Sequence, residues 1–151
     1  SLGKRKDRDG KDVFVGPTPV AALGATDQHS QIQLYNEGPN DKVITFIEVE
    51  KFKSSIRVPS SISNFPELSY ASGKTFENLI HAERAGTADA LTKNKRPNGT
   101  LFVKNISPES LGSLIMFFEI ATAVFGELLN INAYDQPGVE EGKKLIKENL
   151  E

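Results

Sequence analysis

Only two histidines occur in this chain, and His29 follows a Gly24-Ala25-Thr26-Asp27 turn in a strongly polar stretch. A neutral imidazole can both take and give a proton near pH 7. Turns of this kind lie where ligands gather in open α/β sheets, outside the carboxyl ends of the strands. The alternative is a surface histidine capping its own loop, and the residues leave both readings open. The second histidine, His81, sits in a helical pattern beside Glu83 and Arg84 and reads as a solvated side chain. A second group of candidates lies near the C-terminus. Asp135-Gln136-Pro137-Gly138 makes a tight start to a helix, Gln136 offers a neutral amide there, and Lys143 follows about two turns later. An ammonium in that place can donate a proton or stabilise an oxyanion. Three lysines on one helix (Lys143, Lys144 and Lys147) equally describe a solvated face, and periodicity does not single out Lys143.

Several chemistries have no support. The chain has no cysteine, so disulfides and thiolate metal sites are excluded. Two histidines cannot make a three-histidine zinc site, although carboxylates could complete a mixed one. No Gly-x-Gly-x-x-Gly, Walker loop or Gly-x-Ser-x-Gly elbow occurs. The formal net charge of −2 gives no electrostatic case for nucleic acid or an anionic membrane. Lys4, Arg5, Lys6 and Arg8 cluster, but Asp7, Asp9 and Asp12 neutralise them, so the segment reads as a solvated loop. No stretch resembles a signal peptide, and the expected compartment is the cytosol.

The elements that would position these residues are legible in outline. The length of 151 residues fits one domain. Residues 1–12 read as the end of a helix, a Gly3 stop and a charged turn. Val13-Phe14-Val15 suits a short buried strand. A helix is predicted from 28 to about 36, with Thr26 or Asp27 as its cap. Val43-Ile44-Thr45-Phe46-Ile47 is β-branched on both faces and reads as a buried strand. Residues 51–66 look irregular, 69–94 carry helical spacing, 95–99 form a turn, and 100–106 form another strand. Ser107-Pro108 opens a long helix to about 129. That helix is apolar nearly all round. Glu119 and Glu127 weigh against a membrane span, which leaves a fully buried helix, at a subunit interface for example. Asp135 is the expected cap of a last helix. Alternation of strands and helices favours an α/β fold, a parallel sheet flanked by helices.

Two segments bear a resemblance that periodicity does not supply. "GELLNINAYDQPGVEEGK" is similar to the C-terminal signature of the phosphoglucose isomerase family. Gly126, Leu128-Leu129, Tyr134, Asp135, Gln136, Gly138, Val139, Glu140 and Lys143 fill it without a gap. "GATDQHS" resembles the family's Gly-x-Thr-x-x-His-Ser region, and "GTADALTKNKRPN" its later helix and turn. The resemblance runs through essentially the whole chain and is of the bacterial type.

That resemblance implies a SIS-type domain, a flavodoxin-like three-layer sandwich, here incomplete. Residues 1–134 would be most of the enzyme's second SIS domain, and residues 135–151 the C-terminal helix with the family lysine. It implies interconversion of glucose 6-phosphate and fructose 6-phosphate by ring opening and a cis-enediol(ate), with no cofactor and no metal. His29 and Lys143 match the family's ring-opening pair, and Gln136 is a further substrate-binding candidate. The expected partners are a sugar phosphate and a second copy of the chain, with His29 reaching the neighbouring subunit's site. The family's proton-shuttling glutamate ends a helix in Glu-Ser-x-Gly-Lys. This sequence starts Ser1-Leu2-Gly3-Lys4, so no glutamate within it takes that role, and residues 1–151 alone are expected to be nearly inactive. The alternative is a non-catalytic SIS module that binds a phosphosugar and regulates a partner. Acceptance of mannose 6-phosphate is left open.

Overall fold

The computed structural model describes residues 1–150. The chain divides into two compact units, Ser1–Val20 with Gly112–Glu151, and Ala21–Leu111.

In the second of these, strands β3 (Ile44–Lys51) and β4 (Asn98–Asn105) pair in parallel, from Ile44 opposite Asn98 to Lys51 opposite Asn105. Parallel neighbours need a crossover, and helix α2 (Phe76–Lys93) supplies it after two short 3₁₀ turns, Ser60–Asn64 and Pro66–Ala71. Thr75 starts α2 with a capping box: its hydroxyl accepts from the Asn78 N–H at 3.1 Å, and Asn78 Oδ1 accepts from the Thr75 N–H at 3.3 Å. Val58, Ala71, Ala88 and Leu91 are buried here, Leu91 completely. Along β3 the partly buried Ile44, Phe46 and Glu48 alternate with exposed Thr45 and Ile47. The strand expected to be buried on both faces therefore has one open face. This is a small parallel sheet with helices, a partial α/β domain.

In the first unit, residues expected to end a helix instead form an antiparallel hairpin of β1 (Lys4–Lys6) and β2 (Asp12–Val15). Its turn is built by Asp7. The Asp7 carboxylate accepts the N–H groups of Asp9 (3.0 Å) and Lys11 (2.9 Å), and Gly10 takes the φ of +82° that the reversal needs. The hairpin is no buried element, because Phe14 is 74% exposed. The segment is not a merely solvated loop either. Arg8 grips Glu127 with both terminal nitrogens, one of them at 2.6 Å, and the Arg8 N–H donates to the Asn130 carbonyl at 2.9 Å. The paired guanidinium holds the Glu127 carboxyl below its ordinary range, and the carboxylate raises Arg8 in return.

Helix α3 (Pro108–Leu128) begins as expected: the Ser107 hydroxyl accepts the Ser110 N–H at 3.2 Å and Pro108 stands in the first turn. Hydrogen bonds from its own N–H and from Ser107 lower the Glu109 carboxyl. By length and composition α3 could cross a membrane. Within residues 1–150 its apolar side chains are not buried: Ile115, Phe117, Ile120 and Leu128 are exposed, and Gly126 is its buried residue.

At Gly126 the backbone meets the loop before the last helix. An added Cβ would stand 2.7 Å from the Ala133 Cβ, with Ile131 and Ala133 buried beside it. Gly126→Val should therefore destabilise the protein by about 1–3 kcal/mol through overpacking. Chemical denaturation checks this, and an unchanged midpoint would show that the loop yields freely.

Candidate functional site

Helix α1 (Gln28–Glu37) carries His29 as its second residue. Asp27 occupies the N-cap position but makes no side-chain cap. Its carboxylate turns back instead to accept the Leu23 N–H at 2.7 Å, closing the Gly-Ala-Thr-Asp turn, and the Ser30 hydroxyl donates to the Asp27 carbonyl at 3.0 Å. α1 is tied to α2 and to the turn after it. Gln28 Nε2 donates to Thr87 Oγ1 at 2.5 Å near its start, and the Asn36 carbonyl accepts from Arg96 Nε at 2.9 Å near its end. The His29 imidazole is exposed and makes no hydrogen bond among the described residues. A helix held at both ends thus presents an unengaged ring able to exchange protons.

Gln136 and Lys143 belong to the other unit. The expected cap Asp135 does not cap helix α4 (Pro137–Glu148); the N-cap position is Gln136, with no side-chain cap bond, and Pro137 follows at the first helical position. Asp135 has another partner. Its carboxylate lies 3.3 Å from the Lys4 ammonium, which also donates to the Asp135 carbonyl at 2.7 Å and the Ser1 carbonyl at 2.6 Å. Gln136 Nε2 donates to Ser1 Oγ at 3.3 Å. Lys143 is exposed, with its ammonium 2.7 Å from Glu140 Oε1. Lys143 stands seven positions after Gln136, within the helix whose N-cap Gln136 occupies. The structure thus places Gln136 at the N-cap of the helix that carries Lys143 and holds His29 on another helix. Among the described residues no group of three or more His, Cys, Asp or Glu side chains could hold a metal ion.

The family profile for phosphoglucose isomerase matches residues 1–151. The chain belongs to the phosphoglucose isomerase family. It is 51% identical over 144 residues to the glucose-6-phosphate isomerase of Carboxydothermus hydrogenoformans, covering 95% of this chain and 31% of that protein. It is 41% identical over 150 residues to the glucose-6-phosphate isomerase of Thermus thermophilus, covering 99% of this chain and 35% of that one. The crystal structure of a hypothetical protein from Thermus thermophilus superposes with a TM-score of 0.88 at 41% identity, over 99% of this chain and 35% of that chain. The chain therefore spans about a third of the length of the curated relatives it matches.

Within this chain of the phosphoglucose isomerase family, two engaged polar side chains escape a reading of the sequence. Lys4, expected in a solvated loop, is buried at 8% exposure. His81, expected to be solvated, bonds Glu48 through Nδ1, and Arg84 Nε lies 2.5 Å from the other Glu48 oxygen as an ion pair off the hydrogen-bond axis. Phe52 packs against His81, and the Arg84 guanidinium covers the Phe102 ring. A signal for this cluster exists in the sequence: Glu48 shares the inward period of Ile44 and Phe46, and His81 and Arg84 are one helical turn apart. For Lys4 there is none, since its partner is 131 positions away.

Proposed function

We propose that this chain is a portion of a glucose-6-phosphate isomerase and that the whole enzyme interconverts glucose 6-phosphate and fructose 6-phosphate in the cytoplasm. The observation that carries the reading is the ungapped signature from Gly126 to Lys143. Its small residue lies where an added Cβ would strike Ala133, and its Gln136 is the N-cap residue of the helix that carries its Lys143. The roles of the side chains follow from their chemistry. Opening the sugar ring requires a proton taken from the O1 hydroxyl and one delivered to the ring oxygen. The exposed imidazole of His29 exchanges protons, the Lys143 ammonium stabilises the ring oxygen as its bond to C1 breaks, and the Gln136 amide binds a sugar hydroxyl. Transfer of the carbon-bound proton between C2 and C1 falls to a carboxylate outside residues 1–151. We further read the SIS-type sandwich as completed by the rest of the enzyme, and the enzyme as a homodimer in which His29 serves the neighbouring subunit. The exposed apolar side chains of α3 support burial against further protein. Glu119 in mid-helix supports protein over lipid, because a carboxylate at a bilayer centre costs about 2.5–3.5 kcal/mol by insertion scales.

The test is a coupled assay on the full-length enzyme and on a polypeptide of residues 1–151. The full-length protein is expected to turn over glucose 6-phosphate and the short polypeptide to be nearly inactive. Turnover by the short polypeptide at the full-length rate would refute the division of labour. Phosphosugar binding without turnover by the full-length protein would favour a regulatory module.

A further inference from the structure

We propose that Lys4 is a positioning residue for α4: its buried ammonium fixes the Asp135–Gln136 segment and thereby the place of the Lys143 ammonium. This rests on the reading of Lys143 just given. A lysine ammonium has three donors and no acceptor, and here each has an oxygen in reach: the Ser1 carbonyl at 2.6 Å, the Asp135 carbonyl at 2.7 Å and the Asp135 carboxylate at 3.3 Å. The Lys4 side chain is 6% exposed while the Asp135 side chain is 55% exposed. The cation, rather than the carboxylate, is the group taken out of water, which is unfavourable unless its contacts are held in place. Everything else at this point converges on the same segment. Asn132 Nδ2 donates to the second Asp135 oxygen at 2.9 Å, Asn132 Oδ1 accepts the Tyr134 N–H at 3.1 Å, and Gln136 Nε2 reaches Ser1 Oγ at 3.3 Å.

α4 itself has no means of choosing a direction. None of its residues is buried and its N-terminus lacks a side-chain cap. Its orientation is therefore set where it leaves the Lys4 clamp. Lys143 lies six residues beyond Pro137, so a tilt of about 10° at the helix start displaces it by roughly 1.5 Å. A displacement near 1 Å at a reacting group costs on the order of 10²-fold in rate.

The experiment compares Lys4→Met and Asp135→Asn in the full-length enzyme, each alone and combined with Lys143→Met. Far-UV circular dichroism verifies folding, and kcat and KM are measured on glucose 6-phosphate. Lys4→Met should lower kcat by about 10–100-fold with KM within about threefold. In the Lys143→Met background the same change should cost less than about twofold, because Lys4 acts through Lys143. An equal loss in both backgrounds, or an unchanged kcat, overturns the proposal. If Lys4→Met does not fold, Asp135→Asn decides alone: its loss in kcat must vanish in the Lys143→Met background, and a loss that persists overturns the clamp. Lys143→Met at wild-type turnover would instead refute the assignment of Lys143, a distinct result.

Discussion

His29→Ala in the full-length enzyme is expected to lower turnover of cyclic glucose 6-phosphate by about 10²–10⁴-fold, the range for loss of a positioned general acid–base group. The loss on the open-chain sugar phosphate should be much smaller. The contrast follows from the role: the imidazole exchanges protons while the ring opens, and a substrate delivered open has no need of that step. The structure makes the substitution clean. The His29 ring is exposed and without hydrogen bonds among the described residues, and α1 is held by Gln28 and Asn36 rather than by His29. Stability should therefore change by no more than about 0.5 kcal/mol, as at ordinary surface positions. The measurement is stopped-flow turnover of the two substrate forms by wild type and variant. An equal loss on both would refute the ring-opening role and point to substrate binding or the carbon-bound proton transfer instead.

The second large effect is on folding. Glu48→Ala should destabilise the protein by about 2–4 kcal/mol, somewhat less than the full cost of orphaning a buried ion-pair partner because two of the three groups retain some water. The Glu48 side chain is 9% exposed and faces two side chains of α2, His81 and Arg84, which are 27% and 26% exposed. Removing the carboxylate leaves the Arg84 guanidinium over Phe102 with no anion. It also cuts a direct polar tie between β3 and the crossover helix. Urea unfolding of wild type and variant checks the figure, with Glu48→Gln separating charge from shape. A loss below about 0.5 kcal/mol would mean that the cluster behaves as a surface ion pair.

The helices are legible in the sequence because their signals are local. Gln28–Glu37 and Pro108–Leu128 lie close to where spacing, Ser107-Pro108 and the turn residues put them, while the helix expected over 69–94 begins only at Phe76, where Thr75 caps it, and Pro66–Ala71 is a 3₁₀ turn. A helix is decided by neighbours three and four residues apart and by the cap beside its first turn. The signature residues of the C-terminal segment are likewise readable in the sequence itself, and with them the family.

The partners of the polar side chains are not legible. Lys4 and His81 both read as solvated, and both are engaged. Each is decided by a group the chain brings in from afar: Asp135 for Lys4, Glu48 for His81. Asp27 and Asp135 are each well placed by sequence to cap a helix. The one turns back to Leu23 and the other pairs with Lys4, because an acceptor serves whichever donor the backbone presents at the right angle. The hairpin at 4–15 escapes the sequence for a related reason, since the charged run that looks soluble is pinned at its turn by Glu127 and Asn130. α3 shows the converse. Its composition says that it must be buried, yet most of its apolar side chains are exposed in these residues. The helices and the kinship thus follow from the order of the residues alone, because both are written in short-range pattern. The pairing of charges and the covering of apolar faces come from the folded chain, because desolvation depends on what lies opposite a side chain.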